Sequence, residues 1–246
     1  MKTYGLIGRS LGHSFSENYF SEKFKKENID DSQYRNFEIK DLQKEIPALK
    51  LKSELKGLNV TIPYKTDIIS FLDEMTDECR EINACNCIKI IDGKWVGFNT
   101  DVTGFEKSFK PHLKPIHKKA FILGTGGASN AVAFVLKKLG IEFLKISRSK
   151  NQSSFIISYD EISGEMMNEY QIVINTSPLG TFPNMSECPS LPYEAITSQH
   201  YFFDLVYNPP KTLFLSLAEK RGATIENGSQ MLAIQAEESW KIWNRK

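Results

Sequence analysis

A glycine-rich turn, set between an apolar strand and a helix, constrains this chain more than any other feature. Residues 119–123 form an apolar strand run, Gly124-Thr125-Gly126-Gly127-Ala128-Ser129 follows directly, and residues 128–139 carry helical apolar spacing before a second strand run at 142–146. Strand, turn, helix and strand in that order make a βαβ unit, whose two strands are parallel neighbours in one sheet. Glycine at 124 permits the tight turn, and glycine at 126, followed by Gly127, lets backbone N–H groups approach a pyrophosphate. Ala128 and Ser129 are small enough for close helix–strand packing, with an anion seated on the positive helix end. A plain βα turn can also be glycine-rich; the placement of this one points to a dinucleotide.

The second strand of the unit ends Ile146-Ser147-Arg148-Ser149-Lys150. A site built for NAD places Asp or Glu here to take the ribose 2′-OH. This chain has none; Arg148 and Lys150, with the Ser147 and Ser149 hydroxyls, suit a 2′-phosphate instead, and a guanidinium can grip that group bidentately. The alternative is a solvated basic turn. The position favours NADP as cofactor.

Before this unit, strand-like and helical runs also alternate. Strands are expected at 4–8, 34–39 and 58–62, and helices at 16–29, at 41–51 (broken or bent near Pro47) and at 65–72. Runs at 85–91 and 95–98 flank Asp92-Gly93, a strong two-residue hairpin signal. A helix at 101–109 and a connector at 110–118 lead to the glycine turn. Further strands are expected at 170–175, 201–206 and 223–225, with helices at 213–220 and 231–243. The pattern is α/β in two domains. Residues 1–100 plus 226–246 form a substrate domain with a mostly parallel sheet and one antiparallel edge, and residues 101–225 form an NADP-binding Rossmann domain.

The formal net charge of +1 excludes a broad basic field for nucleic acid or an anionic membrane surface. No apolar run is long enough to span a bilayer, and no signal-peptide core opens the chain. The four cysteines form no C-x-x-C pair and the four histidines are few for a zinc site. Free thiols, no metal and a reducing cytoplasm are the expectation.

Several segments match one family in order: Ser14-Phe15-Ser16, Asn59-Val60-Thr61-Ile62-Pro63-Tyr64-Lys65, Asn83-Ala84-Cys85-Asn86, Asn99-Thr100-Asp101-Val102-Thr103-Gly104, the glycine turn, Asp204-Leu205-Val206-Tyr207-Asn208-Pro209 and Met231-Leu232-Ala233-Ile234-Gln235. From Gly5 to Trp243 the chain resembles the shikimate dehydrogenases. The resemblance implies an NADP-dependent oxidoreductase of aromatic amino acid biosynthesis that interconverts 3-dehydroshikimate and shikimate by hydride transfer. The partner it implies is a small-molecule substrate, with the protein acting as monomer or homodimer.

The same resemblance assigns roles. Ser14 and Ser16 bind the substrate carboxylate, although Ser14-x-x-Glu17 is also a capping-box pattern. Lys65 and Asp101 are catalytic: hydride delivery leaves negative charge on oxygen, which an ammonium stabilises and protonates while the carboxylate orients it. Thr61, Asn86 and Gln235 read ring hydroxyls, and Tyr207 lies close to nicotinamide and substrate. Thr176, at a strand end, and Gly228 offer contacts to the cofactor. The chain departs from the family at Glu17, where proline is usual, at Phe20-Ser21, where His-Asn is usual, and at Asn83, where glycine precedes Ala84. Two rival readings remain: an NAD-dependent quinate/shikimate dehydrogenase, and a non-catalytic NADP-binding regulatory protein on the same fold. A two-domain dehydrogenase of folate metabolism is weaker, because it has no need of the serine pair.

Overall fold

The structure is a computed structural model, and it describes residues 1–12, 15–148 and 155–245. The chain divides into two compact units, Met1–Thr100 with Ala236–Lys246, and Asp101–Gln235. Residues 226–235 therefore group with the second unit.

The first unit is built on strands β1 (Lys2–Gly8), β2 (Ser32–Glu38), β3 (Leu55–Val60), β4 (Glu74–Met75), β5 (Cys87–Ile91) and β6 (Lys94–Phe98), with helices α1 (Phe15–Lys26), α2 (Leu42–Lys50) and α3 (Asp77–Ile82). They form one sheet in the order β2-β1-β3-β5-β6-β4. Strand β1 alternates strictly: Ile7 enters a cluster with Ile46, Leu58, Val60 and Trp95, while Tyr4 and Leu6 face Phe20, Phe24, Tyr34 and Trp243. Both faces are thus covered. Gly57 is required where Trp243 lies on the sheet, since a Cβ there would come within 2.3 Å of the indole.

The sheet is mostly parallel, as expected, but its antiparallel strand is not at the edge. β5 runs antiparallel to both β3 and β6 and is internal, and the edge is the two-residue β4, parallel to β6. The β5–β6 hairpin turns on Asp92 (φ 50°) and Gly93 (φ 80°), both in the left-handed region that a two-residue turn needs. The helix expected at 65–72 is instead a short 3₁₀ segment, Asp67–Phe71, with only Ile68 fully buried. Helix α2 runs unbroken through Pro47: Asp41 caps it by accepting from the Gln43 N–H, and Leu42, Ile46 and Leu49 are buried along one face.

The second unit contains α4 (Asp101–Phe109), β7 (Lys119–Leu123), α5 (Gly127–Lys138), β8 (Glu142–Ser147), β9 (Ile156–Ser158), α6 (Gly164–Glu169), β10 (Ile172–Asn175), β11 (Tyr201–Asp204), α7 (Leu213–Glu219), β12 (Thr224–Glu226) and the start of α8 (Ser229–Asn244). Its sheet order is β12-β11-β10-β7-β8-β9, with every neighbouring pair parallel. Renumbered from β7, this is the 3-2-1-4-5-6 order of the doubly wound dinucleotide fold. Strands β7, β10 and β11 are almost wholly buried and apolar, as central parallel strands must be. Among the described residues, no helix is long and apolar enough to cross a membrane.

Candidate active site

In the first unit the assigned residues gather at one end of the sheet. Thr61 and Lys65 lie on the turn that leaves β3, and Asn86 precedes β5, which runs back antiparallel beside β3. Backbone bonds lock the two segments together: Val60 N–H donates to Asn86 O at 2.9 Å, and Cys85 N–H donates to Lys65 O at 2.7 Å. Thr61 N–H donates to Ile7 O at 2.9 Å, so the turn is also tied to β1. Lys65 is half-buried there.

Beneath this turn runs a buried polar network. Tyr34 Oη donates to Asn59 Oδ1 at 2.9 Å, and Asn59 Nδ2 donates to Ser239 Oγ at 2.9 Å. Ser239 Oγ lies 3.2 Å from Thr100 Oγ1, which accepts from Asn86 Nδ2 at 3.1 Å. Ser16, buried on the first turn of α1, hydrogen-bonds the Tyr34 phenol, whose acidity is strongly suppressed by burial. Ser16 and Asn86 therefore belong to one connected set. Ser14 lies outside the described residues, and with it the capping-box reading. Glu17 Oε2 accepts from Asn36 Nδ2 at 2.6 Å, so the residue that replaces the usual proline ties α1 to β2.

Asn83 has a physical explanation. It closes α3 at φ 53°, ψ 40°, the left-handed position where glycine is the default and asparagine the best substitute.

In the second unit Asp101 opens α4 and is buried. One turn later, Gly104 allows α8 to approach: a Cβ there would meet Met231 O at 2.8 Å and Gln235 Cβ at 3.1 Å. Gln235 is buried rather than solvent-facing, and its Nε2 donates to Leu232 O at 3.0 Å.

The glycine turn lies at the carboxyl end of β7, beside β10, where the strand order of the sheet reverses. Gly124 has φ +122°, and a Cβ there would meet Thr176 Oγ1 at 2.7 Å. Thr176 follows β10 and donates both its N–H and its hydroxyl to Leu123 O, at 3.0 and 2.8 Å. Among the described residues, nothing lies within 4 Å of where a Gly126 Cβ would stand, and no side chain caps the twelve-residue helix α5 that it opens with Gly127 and Ala128. Ser129 is fully buried and its Oγ has no partner among the described residues, so it acts here as a small packing residue. Arg148, just past β8, is exposed; Ser149 and Lys150 lie outside the described residues. Tyr207 follows β11 and is exposed. Gly228 has a backbone reason for being glycine, because a Cβ would come within 2.2 Å of Leu205 O. A helix end with no side-chain cap among the described residues, beside two glycines, fits a pyrophosphate, and an exposed arginine at the end of β8 fits a 2′-phosphate.

The shikimate dehydrogenase (NADP(+)) of Caldicellulosiruptor saccharolyticus is 34% identical to this chain, the match covering 99% of this chain and 92% of that protein. The chain belongs to the shikimate dehydrogenase family. The family model described as the shikimate dehydrogenase substrate binding domain matches residues 6–88. Shikimate dehydrogenase from Aquifex aeolicus superposes with a TM-score of 0.88 at 32% identity, covering 99% of this chain and 92% of that one. The enzyme from Thermus thermophilus, solved in complex with NADP(H) and shikimate, superposes at 0.85 with 27% identity, covering 99% and 94%. Sequence alone does not single out Asn59, Thr100, Ser239 or Tyr34 in this family member. Asn59 and Thr100 lie inside quoted motifs, whereas nothing local marks Tyr34 or Ser239, which only folding joins to them.

Proposed function

We propose that this chain is the NADP-dependent dehydrogenase that interconverts 3-dehydroshikimate and shikimate in aromatic amino acid biosynthesis, acting in the cytoplasm as a monomer or homodimer. What carries the reading is 34% identity, over nearly the whole chain, to relatives named shikimate dehydrogenase (NADP(+)), together with an α5 N-terminus beside Gly124 and Gly126 that no side chain caps among the described residues. Gly124, Gly126, Gly127 and Ala128 would hold the pyrophosphate, and Arg148, with Ser149 and Lys150, the 2′-phosphate. Ser129 would keep α5 close to its strand, and Thr176, Gly228 and Tyr207 would border the nicotinamide. The bound nicotinamide supplies the hydride.

The chain's own residues do the rest. Ser14 and Ser16 bind the substrate carboxylate, and Thr61, Asn86 and Gln235 hold the ring hydroxyls. Lys65 donates a proton to the C3 oxygen as negative charge grows there, and Asp101 orients the ammonium. Fixed groups on strand ends and helix starts hold the ketone in reacting geometry, which lowers the entropic part of the barrier. The test is Lys65→Ala: turnover falls by about 10²- to 10⁴-fold, the range for a lost general acid, while NADPH binding by fluorescence titration is retained. Equal loss of NADPH binding would contradict the assignment.

A further inference from the structure

The polar network under Asn86 settles which way its side-chain amide points. Thr100 N–H donates to Asn86 at 2.6 Å. A backbone N–H can only donate, so the Asn86 atom facing it must be the carbonyl oxygen, Oδ1. The amide nitrogen then has two hydrogens. One goes to Thr100 Oγ1 at 3.1 Å; the other has no acceptor among the described residues, although Asn86 is 3% exposed. A buried amide hydrogen without an acceptor is costly unless a ligand takes it.

Thr100 Oγ1 is itself fixed in turn. It lies 3.2 Å from Ser239 Oγ and 3.2 Å from Asn86 Oδ1. Ser239 Oγ accepts from Asn59 Nδ2 at 2.9 Å. The orientation of Asn59 is set by the Asn86 backbone carbonyl, which can only accept and does so at 3.3 Å. Ser239 is fully buried on α8, far in sequence from every residue it supports. Either hydroxyl of the Ser239–Thr100 pair can donate, and Ser239 also hydrogen-bonds the Cys87 thiol, so these contacts fix where Thr100 Oγ1 sits beside the Asn86 amide.

We infer that Ser239 and Thr100 are positioning residues that hold the Asn86 amide with one N–H reserved for substrate, so that Asn86 acts as a donor and the ring hydroxyl it meets acts as an acceptor. The inference rests on the reading of Asn86 as a substrate residue. It makes substrate affinity depend on a serine hydroxyl two residues removed from the ligand.

The experiment uses the whole enzyme and measures KM and kcat for shikimate, KM for NADP+, and melting temperature. Ser239→Ala and Thr100→Val raise the shikimate KM about 5- to 30-fold, the scale of one misdirected hydrogen bond, with a smaller change in kcat and no change in the NADP+ KM. Thr100→Ser, which keeps the hydroxyl, restores the wild-type value. In an Asn86→Ala background Ser239→Ala adds nothing, because the group it orients is gone. Should Ser239→Ala melt too low to assay, the Thr100→Ser and Thr100→Val pair carries the same comparison. If Asn86→Ala raises the shikimate KM but Ser239→Ala and Thr100→Val do not, or if their effects add to it, the positioning role is overturned. If Asn86→Ala leaves the shikimate KM unchanged in an enzyme that oxidises shikimate, the substrate role of Asn86 falls first, and the positioning role with it.

Discussion

The Asn175 side-chain amide donates to Asp204 Oδ1 at 2.9 Å, tying together the carboxyl ends of the neighbouring strands β10 and β11. Asp204 also accepts from Val206 N–H at 3.0 Å and from the Thr212 hydroxyl at 2.6 Å. It is a fully buried carboxylate held by three neutral donors, and burial pushes its pKa up to about 6 despite them. This knot anchors the segments that carry Thr176 and Tyr207.

A raised pKa means that the folded state favours the protonated form. The stabilising contribution of Asp204 is therefore fully present below the unfolded carboxylate value of 3.8 and is lost as pH rises through about 6. Two pH units or so correspond to roughly 3 kcal/mol. Asp204→Asn, which is neutral at every pH, loses this dependence. Melting curves from about pH 4.5 to about pH 7.5, a range that brackets most of this titration, should show wild type gaining on the variant as pH falls, and parallel curves would contradict the assignment.

Gly124 and Gly126 should fail in different ways. Gly124→Ala places a Cβ at φ +122° and 2.7 Å from Thr176 Oγ1, which destabilises the protein by about 1–3 kcal/mol. Gly126 has φ −82° and, among the described residues, open space around it, so Gly126→Ala costs under about 1 kcal/mol of stability. Its NADPH affinity nevertheless drops about tenfold or more, because the methyl occupies the space left for the pyrophosphate. Melting temperature and NADPH titration, measured on both variants, separate the two effects.

Arg148 is the described cation at the end of β8. Arg148→Ala should weaken NADPH binding about 10- to 100-fold, the range for a lost charge-assisted contact, and leave NADH binding nearly unchanged. Equal weakening of both would remove the 2′-phosphate from its account.

Much of this was legible in the residues. The central strands β7, β10 and β11 are short apolar runs because they are buried on both faces, and the glycine turn marks where the first of them ends. The elements not foreseen are small and owe their form to tertiary contacts. β4 has two residues, while α3 and α6 have six each, capped by Thr76 and Ser163 through the N–H groups of Cys79 and Met166. Segments this short carry no full hydrophobic period. Pro47 suggested a break, yet the burial of Leu42, Ile46 and Leu49 holds the helix through it. In the site, motif residues such as Lys65 and Asn86 were identifiable from their neighbours in sequence. Tyr34 and Ser239 were not, since their polar partners are 25 and 180 residues away along the chain.

The most direct test is the absorbance of reduced cofactor after the purified protein is mixed with shikimate or quinate and NADP+ or NAD+, in every pairing of acid and cofactor. The account predicts that shikimate with NADP+ gives the highest kcat/KM. A higher value with quinate and NAD+, or no reduction in any combination, would contradict it.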